Sequence, residues 1–175
     1  MRITENVLEL REFMKLKINI KNSVWLILSI ILIAFDQVSK WYIKSNYELL
    51  ENIEVVKKFF YITYHNNTGA AWGIFQDGTF VLAILSGIVT IGLIAFLLTM
   101  GDKFAQLSLS IIIAGALGNF IDRIVFHKVT DFLDFYIFKY DFPIFNVADM
   151  CVVIGTILLC IYILFLYKEE KSINE

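Results

Sequence analysis

Three stretches of this chain run on without a single Asp, Glu, Lys or Arg: residues 78–101, 104–121 and 150–167, with 24, 18 and 18 residues. Nothing else in the sequence restricts the fold as severely. A helix needs roughly 20 mostly apolar residues to cross about 30 Å of hydrocarbon, and there every backbone N–H and C=O must bond within a helix or a closed barrel. A fourth run, residues 22–35, has 14 residues and reaches spanning length only by continuing through Asp36 and Lys40 to about residue 43. The expected fold is an all-α integral membrane protein with four transmembrane helices, near residues 22–43, 79–100, 104–124 and 146–167. Residues 1–21 and 168–175 flank this unit, and no length remains for a separate soluble domain.

Composition agrees. The chain is 58% hydrophobic and 18% charged, against about 45–50% and about 25% for a soluble domain, and the excess is gathered into blocks. A net charge of −2 provides no basic footprint for nucleic acid. Cys151 and Cys160 stand nine residues apart on one predicted helix, about 13.5 Å along its axis, too far for a disulfide. They read as small apolar packing residues. With only two histidines, distant in sequence, neither a metal nor a cofactor is expected. The first run has basic residues before it but no small-x-small site after it, so it reads as a retained span rather than a cleaved signal.

Residues 1–21 carry five basic and three acidic groups, and Lys15, Lys17 and Lys21 crowd the membrane edge. Positive charge beside a short terminal segment favours the cytoplasmic side. Four spans then return the C-terminus, with Lys168 and Lys171, to that side. Residues 1–13 look like an upstream extension, with Met14 as an alternative start. On this orientation the loops 44–79 and 122–145 face outward, and "MGDKF" is a tight cytoplasmic hairpin. "VVKKFFYITYHNN" in the first outer loop is rich in β-branched and aromatic residues and suits short strands, forming a small amphipathic sheet on the membrane surface. The second outer loop alternates aromatics with Asp131, Asp134 and Asp141.

The polar residues that need explaining sit at the outer ends of the spans. In "LSIIIAGALGNFIDRIVF", Gly115 and Gly118 let a neighbouring helix approach. Asn119, Asp122 and Arg123 share one helical face. They suit either an outer-end cap with a local salt bridge from Asp122 in the neighbourhood of Arg123 or a functional site, since ionisable residues at membrane depth usually mark one. Asp36 and Lys40, four apart, suit a self-neutralising structural pair. "NNTGAAWGIF" is a turn signal; it reads either as a returning loop with Trp72 as an interfacial anchor or as an Asn67 amide that binds an extended peptide. Asn146 and Asp149 fit an acidic capping box on the last helix, and Asp149 also suits the helix dipole.

Capping alone does not account for the company Asp149 keeps. "VTDF" and "FNVAD" both lie at the outer lip, joined by a short aromatic loop, with Asp131 and Asp149 18 residues apart. That loop can fold back to set two carboxylates side by side, although Asp134 and Asp141 are also eligible. Two carboxylates about 3 Å apart cannot both ionise and share one proton. The ionised member can take a proton from water and the protonated one can donate to a carbonyl, which is aspartic-peptidase chemistry. A proton-coupled transporter using Asp36, Lys40, Asp122 and Arg123 as a relay is the alternative, although such proteins show repeated, broken spans and none is visible here.

The motifs "FDQVSK", "NTGAAWGIF", "AGALGNFIDR", "VTDF" and "FNVAD", in this order across roughly residues 25–167, resemble those of the bacterial lipoprotein signal peptidases (signal peptidase II). The resemblance implies four transmembrane helices, a small extracellular β-cradle and a second outer loop in the inner membrane. It also implies an aspartyl endopeptidase that cuts diacylglyceryl-modified prolipoproteins before the lipidated cysteine. Its catalytic pair falls on Asp131 and Asp149. Asn67, Gly69, Asn119 and Arg123 correspond to substrate binders, while Asp36, Lys40, Asp122 and Asn146 take supporting roles. Membrane lipid is the implied surroundings and no nucleic acid is involved. Met150 departs from the small polar residue usual at that place, and residues 1–13 lie outside the pattern.

Overall fold

In the computed structural model the chain is described over residues 20–69, 78–138 and 140–167. A 3₁₀ turn, Ile20–Ser23, leads into helix α1 (Val24–Asn46), followed by strands β1 (Asn52–Val56) and β2 (Phe60–Asn67). Helices α2 (Thr79–Thr99) and α3 (Lys103–Phe126) come next, then strands β3 (Val129–Ile137) and β4 (Tyr140–Asp141). Helix α4 (Val147–Ile161) runs on as a π turn, Tyr162–Leu166. Among the described residues, four helical stretches are long and apolar enough to cross a membrane: Lys21–Asn46, Thr79–Thr99, Lys103–Phe126 and Val147–Leu166. Trp72, Lys15, Lys17, Lys168 and Lys171 lie outside the described residues.

Helix α3 is the centre of the bundle. Over its most apolar stretch 56% of residues are buried, against 17% in each of the other three. Its own composition explains this, because small residues at Gly115 and Gly118 admit α4 and α1 to near backbone contact. A Cβ on Gly118 would fall 2.7 Å from Asp36 Oδ2 and 3.1 Å from the Ala148 Cβ. Leu97, Leu109 and Ile113 form the buried apolar core, with Trp25 and Leu26 from α1 and Leu159 from α4 packed on it. Several polar groups inside the bundle find partners, as a medium without water favours. The Ser29 hydroxyl donates to the Ser110 carbonyl at 2.7 Å. Asn22 Nδ2 and Gln106 Nε2 each donate at 2.7 Å to the Met100 carbonyl, beside the end of α2. Asp102 caps α3 by accepting from the Phe104 and Ala105 amides. The outward faces of α1, α2 and α4 are apolar and exposed, with Ile30, Phe80 and Ile157 as examples, which is the surface a lipid-facing helix presents.

The four strands make one antiparallel sheet in the order β1-β2-β3-β4. This corrects the expectation for the second connection, residues 122–145. It is no separate loop: Val129–Ile137 is β3, the strand paired with β2 of the first. Alternating side chains in "VTDFLDFYI" make a strand there. His127 closes α3 in a left-handed conformation, φ 56°, so β3 starts two residues later. The β2–β3 register shifts between Ile62 and His65, a bulge that bends the strand and re-aims the side chains beyond it. On one face Phe135 stacks with Phe60 at 4.6 Å and with Phe145 at 5.7 Å. Phe145 also pairs its backbone with Leu133, at 2.8 and 3.1 Å. The segment entering α4 is thereby laid along β3, which delivers the start of that helix to Asp131.

Candidate active site

The first turn of α4 is built as the sequence predicts. Asn146 Oδ1 accepts from the Asp149 amide at 3.0 Å, and Asp149 Oδ2 accepts from the Asn146 amide at 3.1 Å. This reciprocal capping box leaves the second carboxylate oxygen and the Asn146 amide group free for other work. Asn146 Nδ2 donates to Asp131 Oδ1 at 2.6 Å, and Asn119 Nδ2 donates to Asp149 Oδ1 at 2.7 Å. Asn146 Nδ2 also meets Asn119 Oδ1 at 3.2 Å. Capping and site geometry are therefore one arrangement, with two asparagine amides joining two carboxylates carried by β3 and α4.

Asp131 is 1% exposed. Its carboxyl is pushed from the ordinary 3.8 up to about 7, first by burial and then by the charge of Asp149; donation from Asn67 and Asn146 and the charge of Lys40 oppose the rise. Asn67 Nδ2 contacts Asp131 Oδ2 at 2.9 Å, while Asn67 Oδ1 accepts from the Gly69 amide at 2.9 Å. Arg123 Nη2 donates to the Gly69 carbonyl at 3.2 Å, and its buried Nε has no protein partner among the described residues. Asn67, Asn119, Arg123, Asp131 and Asp149 line one cavity of about 620 Å³ whose other wall is apolar, including Phe142, Met150, Val153 and Ile154. Met150 and Val153 are exposed, so this wall continues into the outer flank of α4.

The other two acidic residues of that region turn elsewhere. Asp134 lies an odd number of residues from Asp131, on the opposite face of β3. It accepts from Thr63 Oγ1 at 2.6 Å and Asn52 Nδ2 at 3.4 Å, and burial pushes its carboxyl up. Asp141 is exposed in the short strand β4.

Beside the pair lies a sealed ionic cluster. Lys40 Nζ meets Asp36 Oδ2 at 2.8 Å and Asp122 Oδ2 at 3.1 Å, all three side chains being at most 1% exposed. It also donates to Asn119 Oδ1 at 3.0 Å. Asp36 Oδ1 accepts from the Ala148 amide at 2.8 Å, so α1 helps cap α4. Asp122 accepts from the Thr130 amide at 3.3 Å, tying α3 to β3. The expected Asp36–Lys40 ion pair forms, and Asp122 joins it, so it is not self-contained. The salt bridge expected between Asp122 and the neighbourhood of Arg123 runs to Lys40 instead. The three residues of the α3 face diverge, Asp122 to Lys40, Arg123 to Gly69, and Asn119 between both clusters.

A family profile described as signal peptidase (SPase) II matches residues 28–165. The chain belongs to the signal peptidase II family. Two solved bacterial membrane enzymes, both obtained by the in meso method, are similar. One at 2.3 Å resolution shares 39% identity and a TM-score of 0.77, covering 85% of this chain and 94% of that one. The other, at 1.9 Å resolution, shares 40% identity and a TM-score of 0.74, covering 82% and 94%. The protein is a multi-pass membrane peptidase. The transporter alternative finds no support, and its supposed relay residues Asp36, Lys40 and Asp122 are closed on one another.

Sequence reasoning missed Gln37. Its Nε2 donates to Asp36 Oδ2 at 3.1 Å, the Gly118 carbonyl at 3.1 Å and Asp122 Oδ1 at 3.2 Å. The available signal was a polar amide inside an apolar span, next to an ionisable residue.

Proposed function

We propose that this peptidase is of the aspartic type, with Asp131 and Asp149 as its catalytic pair, and removes signal peptides from diacylglyceryl-modified prolipoproteins before the lipidated cysteine. The observation that carries this reading is the single cavity on which both carboxylates open, bridged by Asn146 and Asn119. One member of the pair stays protonated near neutral pH, as expected of adjacent buried carboxylates, and the pair titrates as a unit. The ionised carboxylate takes a proton from water as the water oxygen attacks the scissile carbonyl. The protonated carboxyl gives its proton to the carbonyl oxygen, forming a tetrahedral diol. On collapse the C–N bond breaks, a proton passes to the leaving nitrogen, and a carboxyl and an amine are released. Arg123, Asn67 and the Gly69 backbone lie where an extended substrate backbone would run. The apolar wall of α4 suits the diacylglyceryl chains, which then need not leave the bilayer.

This reading places the sheet and the carboxylate pair at the outer face of the bacterial inner membrane and both termini in the cytoplasm. Lys21 and the α2–α3 turn supply the support, since Asn22 bonds the Met100 carbonyl of that turn and so shares its end of the bundle. The test is purified protein incubated with a diacylated prolipoprotein. Signal peptide should be released by the unaltered protein, and not by Asp131→Asn or Asp149→Asn, each still inserted. Release by either variant removes the assignment.

A further inference from the structure

A lysine inside a membrane helix is costly unless neutralised. For Lys40 the carboxylates of Asp36 and Asp122, at 2.8 and 3.1 Å, already do that. Its third donation, at 3.0 Å to the neutral Asn119 Oδ1, is not needed for neutrality. The same oxygen accepts from Asn146 Nδ2 at 3.2 Å, which leaves the Asn119 amide hydrogens for Asp149 Oδ1 at 2.7 Å. Turning the amide over would set its NH₂ against an ammonium and a second NH₂, and its oxygen against a carboxylate. Two donors on one side thus determine which atom meets Asp149.

We propose that Lys40 is a positioning residue for the carboxylate pair, holding the Asn119 amide hydrogen on Asp149 and using its charge to keep one member ionised at neutral pH. The proposal rests on the aspartic reading above. Lys40's charge is among the influences that oppose the rise at Asp131. The titratable and charged groups around it, among the described residues, are Asp36 and Lys44 on α1, Asp122 and Arg123 on α3, Asp131 on β3 and Asp149 on α4. His65 on β2 stands opposite Asp131 in the register. Cleavage needs one carboxylate of the pair ionised, so activity rises with pH through the first ionisation. Without the cation that ionisation is harder, and the rising limb moves to higher pH.

The experiment measures kcat, KM and Tm from pH 5 to 8 with a diacylated prolipoprotein, for Lys40→Met, Lys40→Arg, Asp131→Asn and Asp149→Asn. Lys40→Met should move the acidic limb up by about one pH unit, a tenfold loss at fixed pH on that limb, with KM little changed. Lys40→Arg, which keeps charge and donors, should return the limb to its original place. A Lys40→Met limb that superimposes on the unaltered one overturns the proposal, as does a fall in activity that follows Tm with no shift in pH. If Lys40→Met does not insert, Lys40→Gln keeps the donor without the charge; the same limb shift is expected, and an unmoved limb is again fatal. Cleavage by the aspartate variants would remove the aspartic reading and this proposal together. Inactive aspartate variants beside an unmoved Lys40 limb remove the proposal alone.

Discussion

Replacing Asp131 with Asn should make the protein progressively more stable than the original as pH rises. The sign follows from the carboxyl being raised from 3.8 to about 7 in the folded protein. The folded state holds its proton where the unfolded chain has released it, so stability falls as pH rises from about 4 to about 7 and is level above. The whole difference corresponds to about 4 kcal/mol, of which roughly 3 kcal/mol falls between pH 5 and pH 8. Asparagine carries no such titration. Asp131 receives an amide hydrogen on each oxygen, from Asn146 at 2.6 Å and Asn67 at 2.9 Å. An asparagine NH₂ must face one of those donors, as the hydroxyl of the protonated carboxyl already does in acid, so the mismatch changes the comparison little at low pH. The stability of Asp131→Asn relative to the original should therefore climb by roughly 3 kcal/mol from pH 5 to pH 8. In thermal unfolding in detergent micelles, followed by tryptophan fluorescence, this is a relative rise in Tm of roughly 6–12 °C. Two Tm curves that stay parallel across that range would refute the argument, since Asp131 would then ionise like an ordinary surface carboxylate.

Two further substitutions probe the frame around the pair. Asn146→Ala removes a cap of about 1 kcal/mol and the donor to Asp131; cleavage should slow about 10- to 100-fold, by the worth of a hydrogen bond to a charged group, with a small drop in Tm. Asp134→Asn should keep cleavage within about threefold, because Asp134 faces Thr63 and Asn52 across the sheet rather than the cavity; a rate assay showing a hundredfold loss would refute the β3 register argument.

Much of this protein is written along the chain in one dimension. Charge-free length alone calls for four helices able to cross a membrane, because hydrocarbon accepts only backbone bonded within its own segment. The five motifs point to the family for the same local reason, each being a short contiguous string. Gly115 and Gly118 announced a close helix contact, and Asn146 with Asp149 announced a capping box, since both are relations within one or two turns. Gly155, which meets α3 from the facing helix, gave no such signal alone.

The tertiary structure decided everything that depends on which strand lies beside which. Asp131 and Asp134 are equivalent in composition and differ only by the face of β3 they occupy, and a one-residue slip in a strand exchanges faces. That face is set by pairing with β2, by the bulge between Ile62 and His65, and by the Phe145–Leu133 bridge, all contacts between distant parts of the chain. Likewise Lys40, four residues from Asp36, is linked to Asp122 and Asn119 only because α1 and α3 pack side by side. A sequence lists its charges in order, but the electrostatic energy of a buried charge depends on distance through a medium of low dielectric. Those distances exist only once the helices and the sheet have closed around them.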